Sequence, residues 1–587
     1  MMLIDDLSVL VGEAFAAAGL DAQLGKVKPA DRPDLAQFQC NGALAAAKIA
    51  RQNPRVLAKQ IIATLDGREE FSSLAVAGPG FINITLSDDY LNAQTNQLHH
   101  DERLGGWRTA ASEKVVMDYG GPNVAKPLHV GHLRAAIIGE SLKRIFRFAG
   151  ETVVGDVHLG DWGLPMGQLI TELKREQPDL IYFDDKSEGP YPEAPPVSLA
   201  DLERLYPQAS AACKADKARA DEARLATADL QKGRPGYRAL WRHFVDLSRA
   251  SIEREYSDLG VTFDLWKGEA HADPLIDAMA QAMRAKGVVE QSDGAEIIRV
   301  EREDDRKEIP PLILFKSDGS VLYGTTDLAT IVDRVRSEDP DRILYVVDQR
   351  QSLHFEQVFR AADLAGIFPA ERLEHIGFGT MNGKDGKPFK TREGGVLKLR
   401  DLIDLVTGRA RERLTESGFA EGYGEDETAV IARKVGVAAL KFADLSNTRT
   451  SDYIFDIDRF TAFEGKTGPY LLYANVRVRS VLAKAEAAGA GSPGEIIIEK
   501  PEERDLALVL LSFPQAVREA HHRRMPHILC DHAFLLAQAF SKFYAACRIA
   551  DEKDANARAS RLSLARTTGE QLSLTLDLLG IETPDRM

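Results

Sequence analysis

The sequence predicts an α/β protein in three parts: a small N-terminal α/β domain, a Rossmann-like domain with a doubly wound parallel sheet and an insertion, and a C-terminal all-α helix bundle. The chain has 587 residues, 44% of them hydrophobic, which is too long for one ordinary core. Apolar strand patterns alternate with helical patterns in the middle of the chain. After about residue 456 the pattern is almost wholly helical, which predicts the bundle.

The first predicted domain spans residues 1–111. Helical patterns lie within 43–63, and two strands are predicted around 74–77 and 81–84. The sequence Gly-Pro-Gly at 78–80 separates the strands, and both residue types break regular structure and favour turns. A small domain with a sheet and helices is therefore expected here.

The parallel sheet is predicted within residues 112–455. Its strands should alternate with helices, because parallel neighbours need a crossover connection. The insertion is expected at about 172–310, where a proline-rich link and a charged helical stretch interrupt the alternation. The four predicted strands are Val115–Met117, Thr152–Val157, Arg342–Val347 and His375–Phe378. The helix bundle is predicted to span 456–587.

The composition excludes several classes of protein. No run approaches the roughly 20 apolar residues of a membrane helix, and Met1 to Leu20 lack the basic start of a secretory signal. We therefore expect a cytoplasmic protein without a membrane partner. Cys40, Cys213, Cys530 and Cys547 lack metal-cage spacing, so buried, reduced thiols are expected. The net charge of -15 opposes a nucleic-acid partner unless basic groups are concentrated locally.

The most informative segment is the sequence His-Val-Gly-His at 129–132. It follows the predicted strand Val115–Met117 and begins an amphipathic helical pattern. The unpaired N–H groups and the positive dipole end of a helix N-terminus attract phosphate. His129 and His132 can donate hydrogen bonds to a polyphosphate, and Gly131 leaves room for a base or ribose near the backbone. An ATP phosphate site is therefore expected.

The His-x-Gly-His segment resembles the first signature of class I aminoacyl-tRNA synthetases. The longer run PNVAKPLHVGHLRAAIIGE at 122–140 is similar to the arginyl-tRNA synthetase form of that signature. Later segments agree with the family in the same order, so the resemblance covers nearly the whole chain. These segments are HLGDWG at 158–163, LYGTTDLA at 322–329, GKDGKPFKTREGG at 383–395 and DYIFDIDRFTAFEGKTGPYLLYANVRV at 452–478.

The resemblance implies a ligase that activates L-arginine with ATP as arginyl-adenylate. It then transfers arginine to the 2′-OH of the terminal adenosine of arginine tRNA and releases AMP. The resemblance also implies that tRNA must bind before the adenylate forms, that the N-terminal domain contacts tRNA, and that the helix bundle binds the anticodon. The expected partners are arginine tRNA, L-arginine, and ATP carrying Mg²⁺. A monomer with no protein-bound metal is expected.

Five residues are expected to bind arginine. A carboxylate in fixed geometry is the best partner for a guanidinium, and Asp118 and Asp327 are the candidates. Asp327 lies four residues after Tyr323, on one face if that run begins a helix. By resemblance, the family's arginine-contacting positions are Asn123, Tyr323, Asp327 and Gln351. Each also has an ordinary structural interpretation, such as a helix cap, a core-edge tyrosine or a surface amide.

The basic loop at 383–395 is predicted to be a lid that stabilises charge as pyrophosphate leaves. The usual lysine-methionine-serine-lysine signature is absent, and two registers remain open. One keeps the lysine spacing from Lys387 to Lys390, whereas the other puts Arg392 in place of the second lysine. By resemblance, Lys126 compensates for that lysine. The expected catalytic residues are His129, His132, Lys126, Lys390 and Arg392, and the expected ATP-binding residues are His129, Gly131, His132, Lys387 and Lys390.

Two other functions remain open. A noncatalytic tRNA-binding paralogue would keep the fold, and the absent lysine signature favours it, whereas the intact histidine segment opposes it. Another nucleotidyl-transferring enzyme could use the same strand-to-helix segment but would not need the C-terminal bundle. Asp156, His158 and Asp161 could bind a metal, but turn capping is the favoured interpretation because glycines mark tight turns around them.

Overall fold

The computed structural model describes residues 2–387 and 397–587. The chain forms two compact units. The first contains Met1–Thr109, Ala462–Leu579 and Thr583–Met587, and the second contains Ala110–Thr461 and Gly580–Glu582. Within these described ranges, no helix is both long enough and apolar enough to cross a bilayer.

The N-terminal part of the first unit combines four helices with a four-stranded sheet. Its elements are α1 (Leu3–Ala17), β1 (Val27–Pro29), β2 (Phe38–Cys40), α2 (Gly42–Ala50), α3 (Pro54–Leu65), β3 (Phe71–Ala77), β4 (Phe81–Leu86) and α4 (Asp88–His99). The strand order is β1-β2-β4-β3, and every neighbouring pair is antiparallel. In β4, Ile82, Ile84 and Leu86 are fully buried and alternate with less buried residues, as expected for a strand with one face in a core. The predicted strand pair and its turn are confirmed.

The second unit contains the parallel sheet and its helices. The elements of its first half are β5 (Lys114–Tyr119), α5 (Val130–Phe148), β6 (Thr152–Leu159), α6 (Leu164–Glu176), α7 (Leu199–Ala215), α8 (Lys217–Gln231), α9 (Pro235–Asp258), β7 (Leu265–Gly268), α10 (Glu269–Ala272) and α11 (Ile276–Ala285). Those of its second half are β8 (Glu290–Ser292), β9 (Ala295–Ile298), β10 (Leu312–Phe315), α12 (Tyr323–Glu338), β11 (Arg342–Val346), α13 (Ser352–Leu364), β12 (Leu373–His375), β13 (Met381–Asn382), α14 (Leu399–Glu416), α15 (Glu425–Leu445), β14 (Tyr453–Ile454) and α16 (Ile457–Phe460).

The main sheet has the order β12-β11-β5-β6-β7, and all its neighbouring pairs are parallel. This confirms the doubly wound, Rossmann-like prediction. From β5 the chain runs to β6 and β7 on one side of the sheet, and it later returns to form β11 and β12 on the other. The crevice at the carboxyl ends of β5 and β11 is therefore the switch point, where open α/β sheets usually bind ligands.

The sheet differs from the sequence prediction at both edges. The edge strand β7 lies inside the range expected for the insertion. It was not predicted as a strand, because its four residues include a lysine and a glycine and show no apolar run. The other edge strand, β12, ends at His375, where the predicted strand began. A small antiparallel sheet, β10-β9-β8, was also not predicted, because its strands are short and partly polar.

Close packing against the sheet positions α5. A Cβ at Gly139 in α5 would lie 2.3 Å from Cγ of Tyr119, the last residue of β5, so only glycine allows this approach. Closer to the histidine segment, Arg134 is buried and its Nε lies 3.0 Å from Oδ2 of Asp444 in α15. These contacts fix the N-terminal turns of α5.

The C-terminal part of the first unit is wholly helical in the described structure. Its helices are α17 (Gly468–Ala487), α18 (Pro501–Leu511), α19 (Phe513–Arg523), α20 (His527–Ala546) and α21 (Ala555–Leu578). Phe540 and Phe543 of α20 are buried in the bundle interior. The all-α prediction is confirmed. Of the cysteines, only Cys213 departs from the expected burial, because it lies on a partly exposed face of α7.

Candidate active site

A cavity of about 500 Å³ opens at the carboxyl ends of β5 and β11. Its wall is formed by the turn after β5, by the end of β6, and by the starts of α5, α12 and α13. The fold therefore brings segments that are distant in sequence to the predicted switch point. The predicted site residues that border this cavity are Asp118, His129, Gly131, His132, Tyr323, Asp327 and Gln351.

The two histidines cap the first turn of α5. Nδ1 of His129 accepts a hydrogen bond from the Gly131 N–H at 3.0 Å, and Nδ1 of His132 accepts one from the His129 N–H at 3.1 Å. Because Nδ1 is the acceptor in both rings, each neutral imidazole carries its proton on Nε2. The ring centroids are 4.0 Å apart. The cavity wall therefore contains two adjacent imidazoles, each with an Nε2–H donor.

Both imidazoles are held in the neutral form at physiological pH. Burial, with help from His129 and Lys126, lowers the pKa of His132 to about 3. Burial and the charge of Lys126 also lower the pKa of His129. These rings can therefore contribute hydrogen bonds to a phosphate, whereas the positive charge must come from other groups.

A side chain at position 131 would displace the imidazole of His129. A Cβ at this position would lie 2.7 Å from Cε1 of His129, closer than side-chain atoms approach one another. The imidazole of His129 thus folds over the glycine while it caps the helix. This contact adds a structural reason to the predicted approach of a ligand ring.

Lys126 lies next to the histidines. Its Nζ is 4.8 Å from the ring centroid of Tyr206 in α7, which is a cation–π contact. The preceding residue, Ala125, has a φ of 63°, and its N–H donates to Oγ of the buried Ser248 at 3.0 Å. A residue other than glycine in this left-handed region is strained, and such strain is concentrated at functional sites.

The chain after the basic loop begins beside the histidine segment. The Val130 N–H donates to the Leu397 carbonyl at 3.1 Å, and the Leu399 N–H donates to the Leu128 carbonyl at 2.9 Å. These two bonds flank the bridge between His129 and Lys398. The turn that contains the histidine segment and the described chain from Leu397 to Leu399 are therefore neighbours.

The predicted lid is only partly described. The Lys387 N–H donates to Oδ1 of Asp385 at 3.1 Å, and the Lys387 carbonyl accepts from the Gly383 N–H at 2.8 Å, so this end of the loop is a tight turn. Lys390 and Arg392 lie outside the described residues. Their roles and the register of the lid stay predictions.

Four of the five residues predicted to bind arginine border the cavity, and Asn123 does not. Tyr323 begins α12 and is 75% exposed, and Oδ2 of Asp327, one turn later, is 2.5 Å from Nε2 of His354. Gln351 precedes α13 and is exposed. Asn123 forms an isolated bridge with Gly160 just beyond β6.

Asp118 is already paired with an arginine of the same chain. Nη2 of Arg334 is 2.5 Å from Oδ2 of Asp118 and 2.7 Å from Oδ2 of Asp156. Sequence reasoning missed Arg334, because one arginine in a helical pattern usually marks a solvated face. The available signal was its position seven residues after Asp327, which puts both side chains on one face of α12.

The residues considered for a metal have structural roles. The turn-capping prediction holds for Asp161 only as a cap of the distant helix α10, because its Oδ1 accepts from the Ala270 N–H at 3.0 Å. It is wrong for Asp156, because that carboxylate pairs with Arg334. His158 borders the cavity. Within the described part of the chain, no three histidine, cysteine or acidic side chains have the arrangement of a metal site.

Glu269 is a second residue that the sequence did not reveal. It is the first residue of α10, directly after the unpredicted strand β7. Burial, together with Asp161 and Asp327, raises the pKa of Glu269 to about 7. Its carboxyl group can therefore carry a proton and donate a hydrogen bond near the carboxyl edge of the sheet.

Three family models match the chain in order. The model described as "Arginyl tRNA synthetase N terminal domain" matches residues 5–86. The model described as "tRNA synthetases class I (R), catalytic domain" matches residues 94–457. The model described as "DALR anticodon binding domain" matches residues 471–587.

Relatives match over the full length of the chain. A protein of Maricaulis maris named arginine–tRNA ligase is 54% identical over 586 residues, and one of Hyphomonas neptunium with the same name is 54% identical over 587 residues. In both comparisons 100% of each chain is covered.

Solved structures share the fold. The arginyl-tRNA synthetase of Thermus thermophilus matches with a TM-score of 0.80 at 23% identity, covering 100% of both chains. That of Plasmodium falciparum also has a TM-score of 0.80 at 23% identity, and covers 100% of this chain and 99% of its own. At this identity the structural likeness supports the fold class alone.

Proposed function

The chain belongs to the arginyl-tRNA synthetase family and is a class I arginine–tRNA ligase, and we propose that the cavity at β5 and β11 is where it activates arginine. One observation carries this proposal: a single cavity contains a neutral histidine pair suited to phosphate and carboxylates suited to a guanidinium. The two relatives named arginine–tRNA ligase match this chain over their whole length, so the noncatalytic alternative has no support.

In the proposed first step, the arginine carboxylate attacks the α-phosphate of ATP. The bond to pyrophosphate breaks, and arginyl-adenylate forms. No side-chain nucleophile is needed, so the protein acts by positioning the reactants and stabilising charge. In the second step, the 2′-OH of the terminal adenosine of arginine tRNA takes the arginyl group, and AMP leaves.

The histidine pair would bind the phosphates. Nε2–H of His129 and of His132 would donate to phosphate oxygens, and the positive end of the α5 dipole would add to the attraction. Because both rings are neutral, the cationic contribution would come from Lys126, which lies beside them, and from Lys387, Lys390 and Arg392 of the lid.

The carboxylates would bind the guanidinium of the substrate. Asp118 and Asp327 border the same cavity, and a planar guanidinium donates to carboxylates in a fixed fork geometry. Tyr323 and Gln351 could add polar contacts at the rim. Asn123, which follows β5 and bridges to Gly160 just beyond β6, would act from outside the cavity wall.

We propose that Mg²⁺ arrives with ATP and is held mainly by phosphate oxygens, as is usual for this ion. The carboxylates that border the cavity support this view, because each has a partner of its own. Asp118 contacts Arg334, Asp327 contacts His354, and Asp348 contacts Arg350. The ion would neutralise phosphate charge, and the protein would orient the triphosphate.

The remaining parts have proposed roles in tRNA binding. The N-terminal part of the first unit would contact the tRNA, and the helices α17–α21 would bind the anticodon, in line with the family models that they match. We further propose that the ligase acts in the cytoplasm as a monomer.

Exchange of labelled pyrophosphate into ATP tests the proposal. The exchange should depend on arginine, among all the standard amino acids, and on the presence of arginine tRNA. Arginine-dependent exchange without tRNA would support the ligase activity but refute the proposal that tRNA must bind before the adenylate forms. The absence of exchange with every amino acid would refute the activity.

A further inference from the structure

A half-buried and a buried aspartate are neighbours in one row of the parallel sheet. Asp118 of β5 is in register with Asp156 of β6, and Tyr345 of β11 is in register with Asp118 on its other side. Register partners on parallel strands point to the same face of the sheet. The two carboxylates are therefore close together, and their side chains are only 14% and 1% exposed. Such a pair requires a cation between its members.

Arg334 provides that cation from α12. Its Nε donates to Oδ2 of Asp156 at 2.9 Å, and its Nη2 donates to Oδ2 of both aspartates, at 2.5 Å for Asp118 and 2.7 Å for Asp156. The guanidinium carbon is 5.3 Å from the ring centroid of Tyr345, so the aromatic ring limits its movement. One guanidinium is thus fixed against two carboxylates, and one negative charge remains in the cluster.

The three charged groups differ in their access to the cavity. Asp118 borders the cavity, whereas Arg334 and Asp156 are each 1% exposed and lie beneath its surface. Asp118, which a ligand in the cavity can contact, is therefore oriented by Arg334, which lies beneath the cavity surface. A carboxylate fixed in this way loses less conformational freedom when it binds a second guanidinium.

We propose that Arg334 is a positioning residue for substrate recognition, which orients Asp118 toward the guanidinium of arginine and neutralises Asp156. This inference rests on the proposed arginine site. A fixed carboxylate favours the planar fork of arginine over the single ammonium of lysine, so the arrangement serves specificity as well as affinity. Arg334 has no role in ATP binding in this view.

The experiment compares arginine and ATP as substrates in pyrophosphate exchange with arginine tRNA present. The main variant, R334M/D156N, removes one positive and one negative charge and so leaves the net charge of the cluster unchanged. We expect its KM for arginine to rise roughly tenfold or more, because a charge-assisted contact is misplaced. Its KM for ATP should stay within about twofold of the wild-type value.

Two further variants separate positioning from folding. R334K keeps the charge but lacks the fork that bridges two carboxylates, so its KM for arginine should lie between those of the wild type and R334M/D156N. D118N removes the residue that Arg334 is proposed to position. Adding D118N to R334M/D156N should therefore raise the KM for arginine no further than D118N alone.

The matched control is R360M/D305N. Arg360 of α13 is also nearly buried, at 8% exposure, and donates to Oδ2 and Oδ1 of Asp305 at 2.6 and 2.7 Å, but it does not border the cavity. This pair tests the general cost of removing a buried ion pair. Its KM values for arginine and ATP should match those of the wild type.

The outcomes distinguish the inference from the proposed function. Equal rises in KM for arginine and ATP, an unchanged KM for arginine, or independent effects of R334M/D156N and D118N would each overturn the role of Arg334. If R334M/D156N does not fold, an unchanged KM for arginine in R334K would overturn it. No arginine-dependent exchange by the wild-type protein would overturn the proposed function together with the inference.

Discussion

The histidine pair caps the helix with one ring nitrogen of each residue and presents the other to the proposed phosphate site. Nδ1 of His129 and of His132 accepts a backbone N–H and caps α5, which leaves Nε2–H as the donor in the proposed phosphate contact. Capping also fixes the tautomer, since an acceptor nitrogen cannot carry the proton. A residue at position 129 that caps α5 but has no donor in place of Nε2–H should therefore separate the two roles.

We predict that His129→Asn and His129→Ala will differ in stability but not in activity. Asparagine is a good N-cap, whereas alanine loses the cap and should lower the free energy of unfolding by about 1 kcal/mol. Both variants lose the Nε2–H donor, so arginine-dependent pyrophosphate exchange should fall roughly 10²-fold or more. Urea unfolding and exchange assays measure the two effects. Wild-type turnover by the asparagine variant would mean that His129 acts only as a cap.

A different histidine should make the first unit sensitive to acid. His532 in α20 is 4% exposed, and burial lowers its pKa to about 4, although its Nε2 lies 3.1 Å from Oε1 of Gln571. The unfolded chain binds a proton near the ordinary value of 6.5 and the folded one does not. His532 therefore leaves the free energy of unfolding unchanged above pH 6.5. It lowers that free energy as the pH falls toward 4, because the proton then binds the unfolded chain.

We predict that His532→Gln will reduce this loss. Between pH 6.5 and 4, the wild type should lose up to about 3 kcal/mol more stability than the variant, because glutamine has no proton to bind in this range. Thermal unfolding across pH values measures the difference. Parallel pH curves for the wild type and His532→Gln would contradict the prediction.

At the scale of elements, one ion pair connects α5, which begins with the histidine segment, to α15. Arg134 lies half a turn beyond His132, and its Nε is 3.0 Å from Oδ2 of Asp444. The Arg134 Nη1 donates to the Ser451 carbonyl at 3.1 Å, and Asp444 accepts from the Tyr453 hydroxyl at 3.0 Å. The side chains of the pair are 3% and 0% exposed. The position of the histidines along α5 therefore depends on a residue far away in sequence.

We predict that Asp444→Asn will destabilise the second unit by about 3–5 kcal/mol, because it leaves the Arg134 charge buried without a partner. The double variant R134M/D444N removes both charges and should cost less than Asp444→Asn alone. Urea unfolding measures both. The exposed pair of Arg433 and Asp258 is the control, and Arg433→Met should cost less than about 1 kcal/mol. A double variant as unstable as the sum of its single variants would contradict this account.

At the scale of the whole molecule, regular patterns were sufficient to predict the main architecture. The central strands β5, β6 and β11 are apolar runs between helical patterns, and the last helices show clear periodicity. The edge strand β7 escaped prediction because an edge strand needs no continuous apolar run. The small sheet β10-β9-β8 escaped for the same reason, since its pairing depends on tertiary contacts.

The candidate site was predictable where chemistry coincides with a local motif. The histidine segment reveals itself by its position between a strand and a helix. The spacing of Arg334 from Asp327 indicates a shared helix face but not burial, and Glu269 follows a strand without an apolar run, so neither residue stands out in the sequence. Only the register of β5 with β6 puts Asp118 beside Asp156 and so explains the buried arginine. Contacts between distant segments therefore determine the part of the site that sequence reasoning missed.

The division into two units leads to the last prediction. Each unit has its own interior, so calorimetry should resolve two unfolding transitions. ATP and arginine together should raise the midpoint of one transition only, because they bind the second unit. Trp107 belongs to the first unit, with its ring centroid 5.1 Å from that of His521, whereas the other three tryptophans belong to the second. In the variant Trp107→Phe, tryptophan fluorescence reports on the second unit alone, so its unfolding transition should coincide with the transition that the ligands shift. A single calorimetric transition that shifts as a whole would show that the units unfold together.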